Sequence, residues 1–333
     1  MQSPPLVPGR RPADDARTRL TVSVVVPLYN KREQVGASLA SVAAQSRAAD
    51  EIVVVDDGST DGSGELARDA PGVRYVHQAN AGPAVARNRG IELAGGDAVA
   101  FLDADDRWAP DKLAVQLAFL EAHPELAWCA CNFRTIRPDG PACVRYPADD
   151  GWTVYEDWFD AHAARDRMLT SGVVVRRSAL AESGGFDASI RHGQDGELWT
   201  RIALSHPAYG YHGRPLFDYL DVAGSVSSPS RRRLESRLQV ARLHLERSRA
   251  LGHAGYRRYA RRKGVSVVRD ALSHGEPDVA RALLPAVLAD GPRGGVSVYA
   301  ALARLPGPLL RVGSRAYRGA LAARRRRPRR PGR

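Results

Sequence analysis

The chain has 333 residues, enough for one large domain or two smaller ones with a substantial core. Its 44% hydrophobic and 26% charged residues are ordinary for a globular protein, and no apolar run approaches the ~18 residues of a membrane-spanning helix. The net charge of +12 is held unevenly. Residues 1–225 carry 23 Lys/Arg against 31 Asp/Glu, whereas residues 226–333 carry 26 against 6, so the two parts have different jobs.

The opening "MQSPPLVPGRRPADDARTRL" has no apolar core segment, so residues 1–20 are expected to be a disordered lead rather than a signal peptide. From there short β-branched runs alternate with helical patterns. "VSVVVPLYN" (22–30) is a buried strand closed by Pro27, and "KREQVGASLASVAAQS" places Val35, Leu39 and Val42 at helical spacing. "DEIVVVDDGSTDG" supplies a second strand, Ile52 to Val55, ending in Asp56, Asp57 and a Gly/Ser/Thr turn. A short helix "SGELARDA", a strand "VRYVHQ" and a loop at Asn80–Gly82 follow. The helix "PAVARNRGIELA" comes next, with Pro83 suited to its first turn. "DAVAFLDADD" is a fourth strand, and Asp111 is placed to cap the helix "KLAVQLAFLEAH". The pattern is that of a layered α/β domain with a mostly parallel central sheet. Cys129, Cys131 and Cys143 are odd in number and lack zinc-site spacing, which fits reduced thiols in a cytoplasmic protein.

In open α/β sheets, ligands bind beyond the carboxyl ends of the strands, and polar groups gather there repeatedly: Tyr29/Asn30, Asp56/Asp57, Asp103/Asp105. Asp103 and Asp105 would face one side if extended geometry continued past the strand. Two such carboxylates suit a hard cation, Mg²⁺ or Mn²⁺, which would relieve their repulsion and hold a phosphate or diphosphate. The same residues could instead solvate a turn, and residue types alone leave the two readings about even.

Four ordered blocks, "VSVVVPLYNKREQVGASLASVAAQS", "EIVVVDDGSTDGS", "GPAVARNRGIELAGGDAVAFLDADDRW" and "SGGFDASIRHGQDGELWTRIA", resemble the family 2 glycosyltransferases, inverting enzymes of the Rossmann-like GT-A fold. The resemblance covers about residues 20–225. It implies that Pro27, Tyr29 and Glu33 flank the base of a nucleoside-diphosphate sugar, with Asp57 and its neighbour Asp56 accepting from it. Arg87 and Asn88 would face the nucleotide-sugar. Asp103 and Asp105 would be the D-x-D pair, with Asp105 and Asp103 holding Mn²⁺ or Mg²⁺ against the diphosphate.

The fourth block implies a catalytic base. Related sequences carry Glu-Asp where this chain has Gln194-Asp195, so Asp195 stands at the position that takes the acceptor hydroxyl proton. Helix capping is the competing reading for Asp195. Gln194, Glu197 and Trp199 are acceptor candidates, although Glu197 also suits a first helical turn and Trp199 a core. His192 and His212 could approach the site. The Q-x-x-R-W signature of processive members is absent, which favours one transfer per encounter. Leu220 and Ala223 stand where Arg and His are common in the segment closing the acceptor region.

These readings give a disordered lead (1–20), a GT-A domain (21–225, with nucleotide-sugar half 21–125 and acceptor half 126–225), a helical extension (226–315) and a basic tail (316–333). In the extension, "RRRLESRLQVARLHLERS" aligns Leu234, Leu238, Ala241 and Leu245 on one helical face. "EPDVARALLPAVLAD" is a second helix, kinked or broken at Pro285. The six arginines Arg324–Arg327, Arg329 and Arg330 could bind an anionic membrane at the inner face of the cell membrane, or merely solubilise the chain. No sequence-reading nucleic-acid motif accompanies them. The expected activity is inverting transfer of one sugar to a glycan or lipid-linked acceptor in cell-surface glycan, polysaccharide or glycolipid synthesis. The alternative is a noncatalytic nucleotide-sugar or glycan-binding module on the same fold. A nucleotidyltransferase fits less well, because the first strand is followed by no Gly-rich phosphate loop.

Overall fold

The computed structural model describes residues 19–137, 140–144, 146, 150–164, 168–221 and 230–289. Its first half is a strand–helix alternation: β1 (Val22–Leu28), α1 (Val35–Ala43), β2 (Glu51–Asp56), α2 (Ser63–Arg68), β3 (Val73–His77), α3 (Pro83–Leu93) and β4 (Ala98–Phe101). β1, at the centre of this half, is an almost unbroken apolar run, as a strand covered on both faces must be. α3 lies close over it because Gly90 has no side chain. A Cβ there would come 2.3 Å from Val25 Cγ1.

The second half contains β5 (Arg107–Trp108), α4 (Lys112–Ala122), β6 (Trp128–Ile136), β7 (Cys143–Val144), β8 (Trp152–Tyr155) and α5 (Trp158–Ala164). A 3₁₀ turn at Thr170–Gly172 then leads into β9 (Val173–Arg176), α6 (Arg177–Ser183), α7 (Gln194–Ser205) and β10 (Tyr209–Leu220). One sheet runs in the order β3-β2-β1-β4-β9-β6-β10-β5, with β7 beside β6 and β8 beside β10. The first four strands are parallel, as expected. β9 runs antiparallel to both β4 and β6, so the acceptor half is mixed rather than parallel.

Three helices follow: α8 (Arg231–Leu251), α9 (Ala254–Ser273) and α10 (Pro277–Leu288). α10 continues through Pro285 instead of breaking there. α9 is absent from the sequence reading. One hydrophobic cluster runs from the sheet into all three helices, joining Trp128, Trp158 and Phe159 to Leu245, Tyr256, Tyr259 and Leu283. The ring centroids of Phe159 and Tyr256 lie 4.8 Å apart, and those of Trp158 and Tyr259 lie 5.0 Å apart. The extension is therefore packed into the same core as the sheet. No helix among the described residues is long and apolar enough to cross a membrane. The lead to residue 18, Ala223 and the arginine tail lie outside the described residues.

Candidate active site

The ends of β1 and β2 are tied together first. Asn30, in the left-handed region at φ 50, accepts the Thr60 amide on Oδ1 at 2.8 Å, and its own amide donates to Ser59 Oγ at 3.0 Å. Pro27 is half-buried, while Tyr29 and Glu33 are exposed on the segment that follows, free to meet a ligand. Asp56 and Asp57 are both buried and committed to their own chain. Asp56 accepts from Tyr75 Oη at 2.6 Å and from the Ser59 amide at 2.9 Å. Asp57 accepts from Gln78 Nε2 and from the amides of Ala81 and Gly82, each at 2.8 Å. Both carboxylates thus hold the loops that follow β2 and β3 in place.

The D-x-D segment is a turn, not extended strand. β4 stops at Phe101, and the Asp106 amide bonds the Asp103 carbonyl at 2.9 Å. The two carboxylates are held by cations from different elements. Arg87 Nη2 of α3 donates to Asp103 Oδ1 at 2.5 Å, and Lys31 Nζ donates to Asp105 Oδ2 at 2.5 Å. Each carboxylate is thus paired with a side-chain cation. Arg87 is buried, and its guanidinium lies 5.4 Å from the Phe186 ring centroid. Its Nε and Nη1 have no hydrogen-bond partner. Asn88 turns away from this cluster. It clamps the Phe186 backbone, accepting its amide at 2.7 Å and donating to its carbonyl at 2.8 Å. Asn88 therefore fixes the turn after Gly184 and Gly185 (φ 73 and 69).

The third carboxylate of the turn, Asp106, is buried and receives Ser171 Oγ at 2.5 Å and the Leu220 amide at 3.3 Å. Burial, reinforced by the charges of Asp103 and Asp105, pushes its carboxyl well above the usual carboxylate range. Ser171 Oγ also accepts the Asp103 amide at 3.0 Å. The adjacent residue, Thr170, reaches Asp195 Oδ2 with its Oγ1 at 3.5 Å. Two neighbouring residues of one 3₁₀ turn thus touch the D-x-D turn and the expected base.

Asp195 lies in the first turn of α7, partly exposed, and is not its cap; that position is Gly193, at φ 89. Asp111 occupies the N-cap of α4 without capping it, since its carboxylate takes Arg214 Nη2 at 2.5 Å. The acceptor candidates mostly face inward. Trp199 is 1% exposed and packs with Trp128, Phe101 and Phe186, which makes it core. Glu197 is fully buried and ion-paired with Arg201 and Arg247, and Gln194 is buried beside it. His212 is buried against Trp152. His192 is partly buried, and burial together with Arg233, Arg232 and Arg191 lowers its pKa.

Among the described residues no three His, Cys, Asp or Glu side chains gather as a metal cluster. The donor set still fits a hard divalent ion, which keeps waters and takes one or two protein carboxylates plus substrate phosphates. Asp103 and Asp105 keep 33% and 20% of their side chains exposed, each beside a side-chain cation. Sequence reasoning missed Lys31, Thr170 and Ser171. Only Lys31, directly after the first strand end, carried a positional hint.

The profile of "Glycosyl transferase family 2" matches residues 23–149. The amylovoran biosynthesis glycosyltransferase AmsB of Erwinia amylovora is 31% identical over 215 residues, 58% of this chain and 70% of AmsB. The chain belongs to glycosyl transferase family 2. The uncharacterized glycosyltransferase YibD of Escherichia coli (strain K12) is 34% identical over 62% of this chain and 63% of its own length. A Rickettsia felis glycosyltransferase, 33% identical over 57% of this chain, is matched over only 31% of its length, so this family 2 chain spans part of such longer relatives. Its fold is that of S. aureus TarS 1–349 in complex with UDP-GlcNAc, with a TM-score of 0.67 at 19% identity over 90% of this chain and 92% of that one. The mannosyltransferase PcManGT from Pyrobaculum calidifontis, in complex with GDP-Man and Mn²⁺, matches with a TM-score of 0.51 at 21% identity over 92% and 87%.

Proposed function

We propose that this chain transfers one sugar from a nucleoside-diphosphate sugar to an acceptor hydroxyl with inversion, using Asp195 as general base. The observation that carries the proposal is the Thr170–Ser171 pair, which ties Asp195 to the turn bearing Asp103 and Asp105. An inverting displacement needs a base on one face of the sugar and the leaving group on the other. The acceptor oxygen attacks the anomeric carbon, Asp195 takes its proton, and the bond to the diphosphate breaks on the other face. Pro27, Tyr29 and Glu33 would border the base, and the loop held by Asp57 would cradle the nucleotide. Arg87, with two buried donors unpartnered, would pair with donor oxygens once the donor is seated. Asp105, with Asp103, would hold Mn²⁺ or Mg²⁺, which when bound stabilises the charge developing on the leaving diphosphate. The relatives' names and the sugar-nucleotide complexes of the fold neighbours support the donor class and a role in polysaccharide assembly.

The acceptor is proposed to be a glycan or lipid-linked alcohol, with the chain at a membrane surface through its arginine tail. The test of the activity is a donor panel of UDP-glucose, UDP-N-acetylglucosamine and GDP-mannose, with Mn²⁺ or Mg²⁺ and octyl glycosides as acceptors. Steady nucleotide release that depends on the acceptor is expected. Tight nucleotide binding with no release from any donor would instead fit the noncatalytic module. Co-sedimentation with phosphatidylglycerol vesicles tests the tail, because equal pelleting after truncation at residue 315 would remove it from the account.

A further inference from the structure

We infer that Arg247 of α8 is a positioning residue for Asp195, acting through the buried carboxylate of Glu197. The inference rests on the reading of Asp195 as the base, and it makes the helical extension a working part of the site.

Glu197 follows Asp195 by two residues in the first turn of α7, and its side chain is wholly buried. A buried carboxylate is retained only where ion pairs and hydrogen bonds surround it. Here Arg201 Nε meets both Glu197 oxygens at 2.9 Å and Arg201 Nη2 meets Oε2 at 2.7 Å. Those contacts lie within one helix and cannot fix where that helix sits. Arg201 extends the anchor by donating to the carbonyls of Ser183 and Gly185, at the end of α6. The contact from outside the sheet domain is Arg247 Nη1 to Glu197 Oε1, at 2.8 Å. Arg247 in turn lies against the Tyr256 hydroxyl of α9, which His244 Nδ1 meets at 2.9 Å. A chain of polar contacts therefore runs from the extension into the turn that carries Asp195. A second contact marks the same seam: a Cβ on Gly193, the N-cap of α7, would lie 3.8 Å from Val240 Cγ2 of α8.

Arginine suits this task because its planar fork serves two partners at once, whereas lysine supplies a point charge. Losing it leaves Glu197 paired with Arg201, so the fold survives while the first turn of α7 loses its ion pair to α8. A displacement of about 1 Å at a reacting group can cost up to ~100-fold in rate.

The experiment uses the full chain, the panel donor that the wild type turns over, Mn²⁺ and octyl glycosides. It compares Arg247→Met, Arg247→Gln and Arg247→Lys with Arg249→Ala, which removes an α8–α10 contact to the Ala286 carbonyl. Arg247→Met should lower kcat by roughly 10- to 100-fold while the Kd for UDP stays within about threefold. Arg247→Lys, which restores the charge beside Glu197 but not the two-partner fork, should recover part of the loss, and Arg247→Gln less. Arg249→Ala should lower Tm but leave kcat unchanged. Unchanged kcat in both Arg247→Met and Arg247→Gln would overturn the inference. So would an equal kcat loss in Arg249→Ala, because general loosening of the extension would then suffice. Asp195→Asn separates the two readings: if it keeps turnover, the base assignment fails whatever Arg247 does.

Discussion

Ser171 Oγ lies 2.5 Å from Asp106 Oδ2 and, on its other side, accepts the Asp103 amide at 3.0 Å. This hydroxyl pins the D-x-D turn to the 3₁₀ turn whose other member, Thr170, meets Asp195. Ser171→Ala leaves the Asp103 amide and the buried Asp106 carboxyl each short of a partner, costing about 1–3 kcal/mol of stability. Affinity for UDP with Mn²⁺ should fall as the turn loosens. Urea unfolding and calorimetric titration check the two effects, and an unchanged UDP affinity would mean that Ser171 serves stability alone.

His244 gives the extension a pH dependence. It is buried beside Tyr256, and burial, reinforced by Lys263 and Arg247, lowers its pKa to about 3 from an ordinary 6.5. The unfolded chain therefore binds a proton between these values that the folded chain refuses, so stability falls as pH drops through this window. Between pH 7.5 and 5.5 this group alone removes about 1.4 kcal/mol. His244→Gln should flatten that part of the profile in urea unfolding at the two pH values. An equally steep profile in the variant would assign the slope to other groups.

Lys112 is a second base whose pKa is lowered by burial, here a cation kept at a cost. Its ammonium has no hydrogen-bond partner and lies 4.0 Å from the Trp108 ring centroid. The ring face favours the charged form, but desolvation is the larger effect and lowers the pKa to about 8. With the folded pKa below the unfolded one, stability should rise by on the order of 2 kcal/mol from pH 7 to pH 10. Lys112→Met should remove that rise and increase Tm by a few degrees at pH 7. A lower Tm in this variant would show that the Trp108 contact outweighs burial.

The first half of the fold was legible because its strands are apolar runs and its helices have regular apolar spacing. Val22–Leu28, Glu51–Asp56 and Ala98–Phe101 each end where the reading placed polar ligand groups. The antiparallel insertion of β9 was not legible, since "VVVR" has the same composition whichever way its neighbours run. α9 was overlooked because its buried residues, among them Tyr256, Tyr259, Val267 and Val268, are interleaved with arginines that dominate the local composition. At the site, the partners of the expected residues were not legible. Asp57 and Asn88 carry side chains that suit a ligand, but backbone groups from distant loops reach them first. Ser171 gave no signal, because its value lies in a contact 65 residues away in the chain.

The most direct test of the account is Asp195→Asn, assayed for acceptor-dependent nucleotide release beside calorimetric binding of UDP with Mn²⁺. The account predicts release lowered by at least ~100-fold with nucleotide affinity within about threefold of wild type. Release persisting near the wild-type rate would contradict it.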